Sequence, residues 1–268
     1  MKSLFSILQR LEFKVFLYTI LYFILFNSIQ YAILYSFNSF FDTKYLYIGN
    51  VVGLTIALII IVLVYKRFNK NIEKTNVVYW KQIALIFLVL LVFKIFIDPI
   101  LNFFTIIDGD TLTSIDKSGI PINYKLSYIL SFSILTPIVE ELFFRGILLE
   151  KLISNKKKGV IVYSSFLFAL IHINPLDFSN ISIETLTVAF LIGIVTAFIY
   201  IATRNIVYCI VFHILNNIFS YLIFHIYNSE YVAIINYLNF DYKYWLIISI
   251  SIFIFLFLIN KISKIGRV

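Results

Sequence analysis

Long apolar stretches separated by short polar segments dominate the chain from end to end. Eight of them approach or exceed the roughly 20 apolar residues that a helix needs to cross the hydrocarbon core of a bilayer. They span residues 15–37, 45–65, 83–107, 127–150, 159–177, 184–203, 205–227 and 244–260. The pattern predicts an all-α, polytopic membrane protein with about eight transmembrane helices. Segment 231–240 is too short to cross, and we expect it to lie at the membrane interface.

The positions of Lys and Arg predict the orientation of these helices. Most of the 22 basic residues fall in alternate connecting segments, on the side of the membrane that also holds both chain ends. Cytoplasmic loops carry such an excess of basic residues, so both termini are expected in the cytoplasm. The abundance of Ile, Phe, Asn and Lys is typical of AT-rich bacterial genomes and favours a bacterial plasma membrane.

Composition excludes several classes of protein. The chain is 61% hydrophobic and 13% charged, whereas soluble domains are nearer half apolar and a quarter charged. The net charge of +8 follows from the basic inner segments, so no nucleic-acid partner is predicted. No linker or repeat divides the chain, and we expect one integral membrane domain. Any chemistry must therefore take place inside the membrane or at its edge.

The fourth predicted helix carries three charged residues at membrane depth, where each costs about 2.5–3.5 kcal/mol on insertion scales. Glu141 and Arg145 are four positions apart with the acid first, the favoured order for an ion pair on a helix. Glu140 projects about 100° away from Glu141, and its neighbours one turn away are uncharged. We expect Glu140 to face a cavity. The alternative is a single buried ion network that holds helices together.

Further polar residues lie at a similar depth on two other predicted helices. Phe168 and His172 share a face of the fifth, and His213 and Asn217 share a face of the seventh. Counted from the inner loops, Glu140, both histidines and Asn217 lie roughly 13–21 Å from the cytoplasmic boundary. Helices 4, 5 and 7 are therefore predicted to form one site.

These residue types are suited to hydrolysis. A carboxylate and a histidine around a water molecule provide general-base catalysis, while a second histidine and an asparagine donate hydrogen bonds to a developing oxyanion. Glu140, His172 and His213 equally match a zinc site with two histidines, one glutamate and an open water position. Spacing alone leaves both mechanisms open.

Three motifs resemble those of the CPBP intramembrane proteases (the Abi family), which include type II CAAX prenyl endopeptidases and bacteriocin-processing or bacteriocin-immunity proteins. Glu140-Glu141-Leu-Phe-Phe-Arg145 resembles the EExxxR motif, Phe168-Ala-Leu-Ile-His172 the FxxxH motif, and His213-Ile-Leu-Asn-Asn217 the HxxxN motif. The resemblance covers about residues 125–222. It includes Gly193 and Thr203 of the sixth helix, but Arg204-Asn205 departs from the small residues that more often follow this threonine.

The resemblance implies an intramembrane endopeptidase whose core lies within residues 121–268, preceded by variable helices in residues 1–120. It implies that Glu140 and His172 activate water, while His213 and Asn217 stabilise the oxyanion. The implied supporting residues are Glu141, Arg145 and Phe168. We favour the metal-free version, which requires no cofactor, because Asn217 is better placed as a donor than as a zinc ligand; zinc, if used, would be bound by Glu140, His172 and His213.

The expected partners are the lipid bilayer and a peptide or protein substrate in or at the membrane, processed during bacteriocin or signal-peptide maturation or in self-immunity. Two other functions stay open. One is a non-catalytic membrane protein that gives immunity to a bacteriocin. The other is a proton-coupled transporter, which is disfavoured because the chain has no inverted repeat or pair of broken helices.

Overall fold

The computed structural model describes residues 13–26, 46–68, 78–107, 126–127, 129–155, 158–173, 183–226 and 242–265. These residues are helical apart from short turns and termini, and no strand occurs among them. The helices are α1 (Phe13–Phe26), α2 (Leu46–Phe68), α3 (Trp80–Ile107), α4 (129–154), α5 (Val160–Leu170), α6 (Ile183–Thr203), α7 (Ile206–Ile226) and α8 (Tyr242–Ile265).

Each of these helices overlaps one of the predicted spans. Among the described residues, the segments long and apolar enough to cross a membrane by themselves are Val51–Phe68, Trp80–Ile97, Ile183–Thr203 and Trp245–Ile262. The predicted all-α, polytopic membrane fold is confirmed. The predicted interfacial segment 231–240 lies outside the described residues.

One predicted boundary is wrong. The fifth span was expected to reach residue 177, but α5 ends at Leu170 and a turn occupies residues 171–173. Pro175 follows in the sequence; proline cannot donate a backbone hydrogen bond and disfavours the helical conformation of the residue before it. His172 therefore lies on the turn beyond the helix.

Helix α4 alternates between π-helical and α-helical hydrogen bonding. Ile129–Leu135 and Phe144–Leu149 are π-helical, whereas Thr136–Phe143 and Glu150–Ser154 are α-helical. Pro137 lies at the start of the first α-helical segment, where its missing N–H prevents the ordinary bond to the carbonyl four residues earlier. π-Helical turns inside longer helices frequently accompany functional sites. The α-helical segment between the two π-helical ones carries the paired glutamates.

Internal packing divides the chain into two compact units. The first comprises Met1–Glu73 with Asn123–Ala197, and within it α2 and α5 both pack against α4. The second comprises Lys74–Ile122 with Phe198–Val268, and within it α3 packs against α7 and α8. The predicted division into a variable part up to residue 120 and a catalytic core after it stays a prediction.

Burial follows the pattern of a membrane protein, with polar groups inside and apolar groups outside. Arg145 is 0% exposed, whereas Phe253 on α8 is 73% exposed. Water would penalise that distribution, but lipid accepts the exposed phenyl ring and requires the charge to be enclosed. Lys94 on α3 is half-buried, and its Nζ donates a hydrogen bond of 2.7 Å to Ser220 Oγ on α7.

The turn between α6 and α7 explains the departure noted at Arg204-Asn205. Arg204 has a φ of 53°, in the left-handed region that favours glycine, and its guanidinium carbon lies 5.4 Å from the centre of the Tyr200 ring. Asn205 Oδ1 accepts a hydrogen bond of 3.0 Å from the Val207 N–H and so caps the start of α7. A glycine at position 204 would meet the same backbone requirement without strain.

This geometry predicts that Arg204→Gly is more stable than Arg204→Ala. Both variants lose the cation–π contact with Tyr200, but only alanine retains the cost of a Cβ in the left-handed conformation, about 1–2 kcal/mol. Thermal unfolding in one detergent measures the difference. Equal melting temperatures for the two variants would contradict the assigned backbone conformation.

Candidate functional site

Arg145 is the centre of a buried polar cluster in the first unit. Its Nε lies 3.2 Å from Glu141 Oε2, and both side chains are fully buried. Its Nη2 donates a hydrogen bond of 3.0 Å to the backbone carbonyl of Gly193 on α6. The guanidinium carbon lies 4.6 Å from the centre of the Phe168 ring on α5. One side chain therefore connects α4, α5 and α6.

The surroundings of Arg145 offset part of the cost of burying its charge, although its Nη1 has no hydrogen-bond partner among the described residues. A buried ion pair recovers its desolvation penalty only when good geometry and additional hydrogen bonds accompany it. The Gly193 carbonyl supplies one such bond, and the face of Phe168 attracts the cation electrostatically. Phe144 packs edge-on against Phe168, with ring centres 5.1 Å apart, and holds that ring in place. These contacts link the Glu141–Arg145 pair on α4 to α5 and α6.

Gly193 is required because α6 approaches α5 closely at this point. A Cβ built on Gly193 would lie 2.9 Å from Ser165 Cβ and 3.0 Å from Ser165 Cα. The first of these separations is shorter than real Cβ contacts, and the second reaches the main-chain carbon of α5. The absence of a side chain therefore lets the Gly193 carbonyl reach Arg145.

Gly193→Ala is expected to destabilise the protein by about 1–3 kcal/mol, the usual cost of overpacking a close contact. Thermal unfolding in detergent measures this loss. Ser165→Gly removes the atom that the new methyl group would meet. We therefore expect the double variant to lose less stability than the sum of the two single losses. A strictly additive result would show that the contact between α5 and α6 is not the cause.

Glu140 lies on the α-helical segment of α4 and is buried, with 7% of its surface exposed. Helical geometry directs it about 100° away from Glu141, so the two carboxylates face different surroundings. Phe143 and Phe144 lie three and four residues later on α4 and therefore share its face. Glu140 thus shares one face of α4 with two aromatic residues.

His172 is exposed and lies just beyond the end of α5. Its Nδ1 lies 2.8 Å from the backbone carbonyl of Phe168. A carbonyl oxygen only accepts hydrogen bonds, so Nδ1 must carry the proton, and Nε2 of the neutral ring keeps its lone pair. The early end of the helix thus presents a histidine whose outer nitrogen can accept a hydrogen bond or a proton.

The second unit contains the other predicted histidine and asparagine. His213 is buried on α7, and Asn217 lies one turn further along, half-buried. Asn216 Nδ2 donates a hydrogen bond of 3.2 Å to Asn217 Oδ1. This contact fixes the oxygen of the Asn217 amide and directs its NH₂ group the other way, as a hydrogen-bond donor requires. The sequence motif gave no indication of this role for Asn216.

The structure therefore brings the predicted residues together in two groups. In the first unit, Glu141, Arg145, Phe168 and His172 form one chain of contacts. In the second unit, His213 and Asn217 share α7. The convergence of all the predicted catalytic residues on one substrate stays a prediction.

Nowhere in the described part of the chain do three His, Cys, Asp or Glu side chains lie together so that they could hold a metal ion. The alternative zinc site of Glu140, His172 and His213 stays a prediction.

Apolar helices that enclose ionisable residues are typical of a polytopic membrane protein with polar groups at membrane depth. Residues 122–219 match the family described as type II CAAX prenyl endopeptidase Rce1-like. The match contains all three motifs and confirms the predicted resemblance to this family over these residues. No curated protein and no solved structure matches the chain.

Proposed function

We propose that this protein is an intramembrane endopeptidase that hydrolyses a peptide bond in a membrane-associated peptide or protein. The observation that carries the proposal is the family match over residues 122–219, which includes the buried Glu140, the outward-facing Nε2 of His172 and the donor residues of α7. A match to an endopeptidase family favours hydrolysis over transport or passive binding.

In the proposed reaction Glu140 takes a proton from a water molecule, and His172 Nε2 accepts a hydrogen bond from the same water. The water oxygen bonds to the carbonyl carbon of the scissile peptide. His213 and the NH₂ group of Asn217 donate hydrogen bonds to the resulting oxyanion. When the C–N bond breaks, Glu140 returns the proton to the departing amine, and no metal is required.

Glu141 and Arg145 support this reaction without taking part in it. Their ion pair and the bond from Arg145 to Gly193 hold α4 against α6. Because Glu140 is adjacent to Glu141 in the chain, that anchor also limits where the Glu140 carboxylate can lie. A general base must be held within hydrogen-bond reach of its water.

The proposed biological role is processing of a peptide in a bacterial plasma membrane, with both termini of the enzyme in the cytoplasm. The support is the distribution of basic residues and the apolar outer surface of the helices. Bacteriocin or signal-peptide maturation and self-immunity all supply substrates of this class. A substrate that lies in the bilayer suits a chain whose ionisable residues are enclosed there.

The proposal is tested by comparing the membrane peptidome of cells that express the wild type, Glu140→Ala or His172→Ala. Uncleaved precursor peptides are expected to accumulate in both variants. The control is Glu184→Gln, which removes a half-buried charge at the start of α6, away from the motifs. An identical peptidome in wild type and Glu140→Ala would overturn the proposal. If both variants also kept protecting cells against a bacteriocin, the non-catalytic immunity function would be favoured.

A further inference from the structure

Tyr22 on α1 carries a polar group that the mechanism above does not use. Its hydroxyl oxygen has no contact with solvent and has no hydrogen-bond partner among the described residues. Buried hydroxyl groups in proteins almost always have such a partner, so an exception calls for a functional explanation. Tyr22 also lies outside residues 122–219, the part that matches the endopeptidase family.

The Tyr22 ring packs on the face of α4 that carries Glu140. It stacks on Phe143, with ring centres 4.0 Å apart and planes 9° apart, and meets Phe144 edge-on at 6.0 Å. Phe143 and Phe144 follow Glu140 by three and four residues, which makes them its neighbours on the helix surface. The negative charges of Glu140 and, more weakly, of Glu141 act electrostatically on the Tyr22 hydroxyl.

The same tyrosine borders an apolar cavity of about 240 Å³ between α1, α2 and α4. Val139 and Phe143 line this cavity from α4, and Tyr18 lines it from α1, one turn before Tyr22. Tyr18 is 48% exposed, and the centre of its ring lies 5.9 Å from the Lys151 ammonium. The two tyrosines therefore share a helix and a cavity, but the hydroxyl of Tyr22 is enclosed whereas Tyr18 is exposed.

We infer that Tyr22 is a positioning residue, whose hydroxyl forms a hydrogen bond with the water molecule that Glu140 activates. The inference rests on the endopeptidase function proposed above. The phenol keeps its own proton throughout, because Glu140 takes the proton from the water. Tyr22 fixes the oxygen of that water relative to the carboxylate. The N-terminal helices thus supply part of the site and do not only surround it.

A role in packing alone is the competing explanation. The stack on Phe143 accounts for an aromatic ring at position 22, and phenylalanine would provide it equally well. The hydroxyl adds nothing to that stack, and enclosing it without a partner costs stability. Removing only the oxygen therefore separates the two explanations.

The test uses purified full-length protein in liposomes and a synthetic peptide whose cleavage in cells depends on Glu140. Tyr22→Phe is expected to lower kcat about 10- to 100-fold, the range that misplacement of a reacting group produces. KM is expected to stay within about twofold, since the hydroxyl contacts water and not the peptide. The melting temperature should not fall, because phenylalanine keeps the stack. Tyr18→Phe, the matched control, is expected to retain the wild-type kcat and KM.

The outcomes are distinguishable. A wild-type kcat in Tyr22→Phe would overturn the role of Tyr22 and leave the proposed function in place. An equal loss of kcat in Tyr22→Phe and Tyr18→Phe would also overturn it, since the loss would then come from a change in the shared cavity and not from the Tyr22 hydroxyl. If the wild type cleaves no peptide in a manner that depends on Glu140, both proposals fail together.

Discussion

Glu140→Gln is expected to lower kcat by about 10²- to 10⁴-fold while the protein still folds and inserts. The amide has nearly the shape of the carboxylate but cannot take a proton from water, so only the acid–base step is lost. The measurement is cleavage of a Glu140-dependent peptide by the purified protein in liposomes. The melting temperature in detergent shows that the fold is retained.

The adjacent glutamate provides the sharpest comparison. Glu141→Gln would leave the fully buried Arg145 without its charged partner, so we expect a lower melting temperature and a lower yield of folded protein. Glu140→Gln should show the opposite pattern, with a normal melting temperature and no cleavage. If instead Glu140→Gln unfolds and Glu141→Gln folds but is inactive, the roles of the two carboxylates are reversed.

Arg145→Met is expected to destabilise the protein by about 3–5 kcal/mol, the typical result of breaking a buried ion pair from one side. The substitution leaves the buried Glu141 carboxylate without its charged partner and removes the hydrogen bond to the Gly193 carbonyl. Arg145→Lys is not expected to restore stability, because an ammonium cannot replace the planar guanidinium group that contacts Glu141, Gly193 and Phe168. Equilibrium unfolding in mixed detergent measures both losses.

A double variant separates the effect of breaking the ion pair from the effect of losing the other contacts of Arg145. Glu141→Leu combined with Arg145→Met replaces both charges by apolar groups, an exchange that is often neutral for a buried ion pair. The double variant is therefore expected to recover most of the stability lost in Arg145→Met. A double variant as unstable as the single one would show that the bond to Gly193 and the packing on Phe168 dominate.

Glu140 and Glu141 illustrate what could be predicted from the sequence. Their one-residue offset predicts different surroundings, since a helix turns about 100° per residue, and the i,i+4 spacing selects Arg145 as the partner of Glu141. The structure contains that ion pair at 3.2 Å. The prediction succeeds because it depends only on distances within one helical turn.

His172 and Gly193 illustrate where such reasoning stops. The spacing correctly places His172 one turn after Phe168, with ring centres 5.0 Å apart. It did not predict that α5 ends before His172 or that Nδ1 bonds to the Phe168 carbonyl. The need for glycine at position 193 arises from Ser165, on another helix. Neither fact follows from periodicity, because each depends on where a helix ends or on which helix lies beside it.

The sequence by itself determined the all-α membrane fold, the positions of the helices and the residues of the three motifs. Those features follow from local physics: the length of apolar chain that a bilayer requires and the spacing of side chains on one helix. Tertiary structure alone decided that Arg145 joins α4 to α5 and α6, and that Tyr22 of α1 packs beside the Glu140 face. Such contacts join residues that are far apart in the chain. They depend on close packing between the surfaces of different helices, so the pattern within a single helix does not predict them.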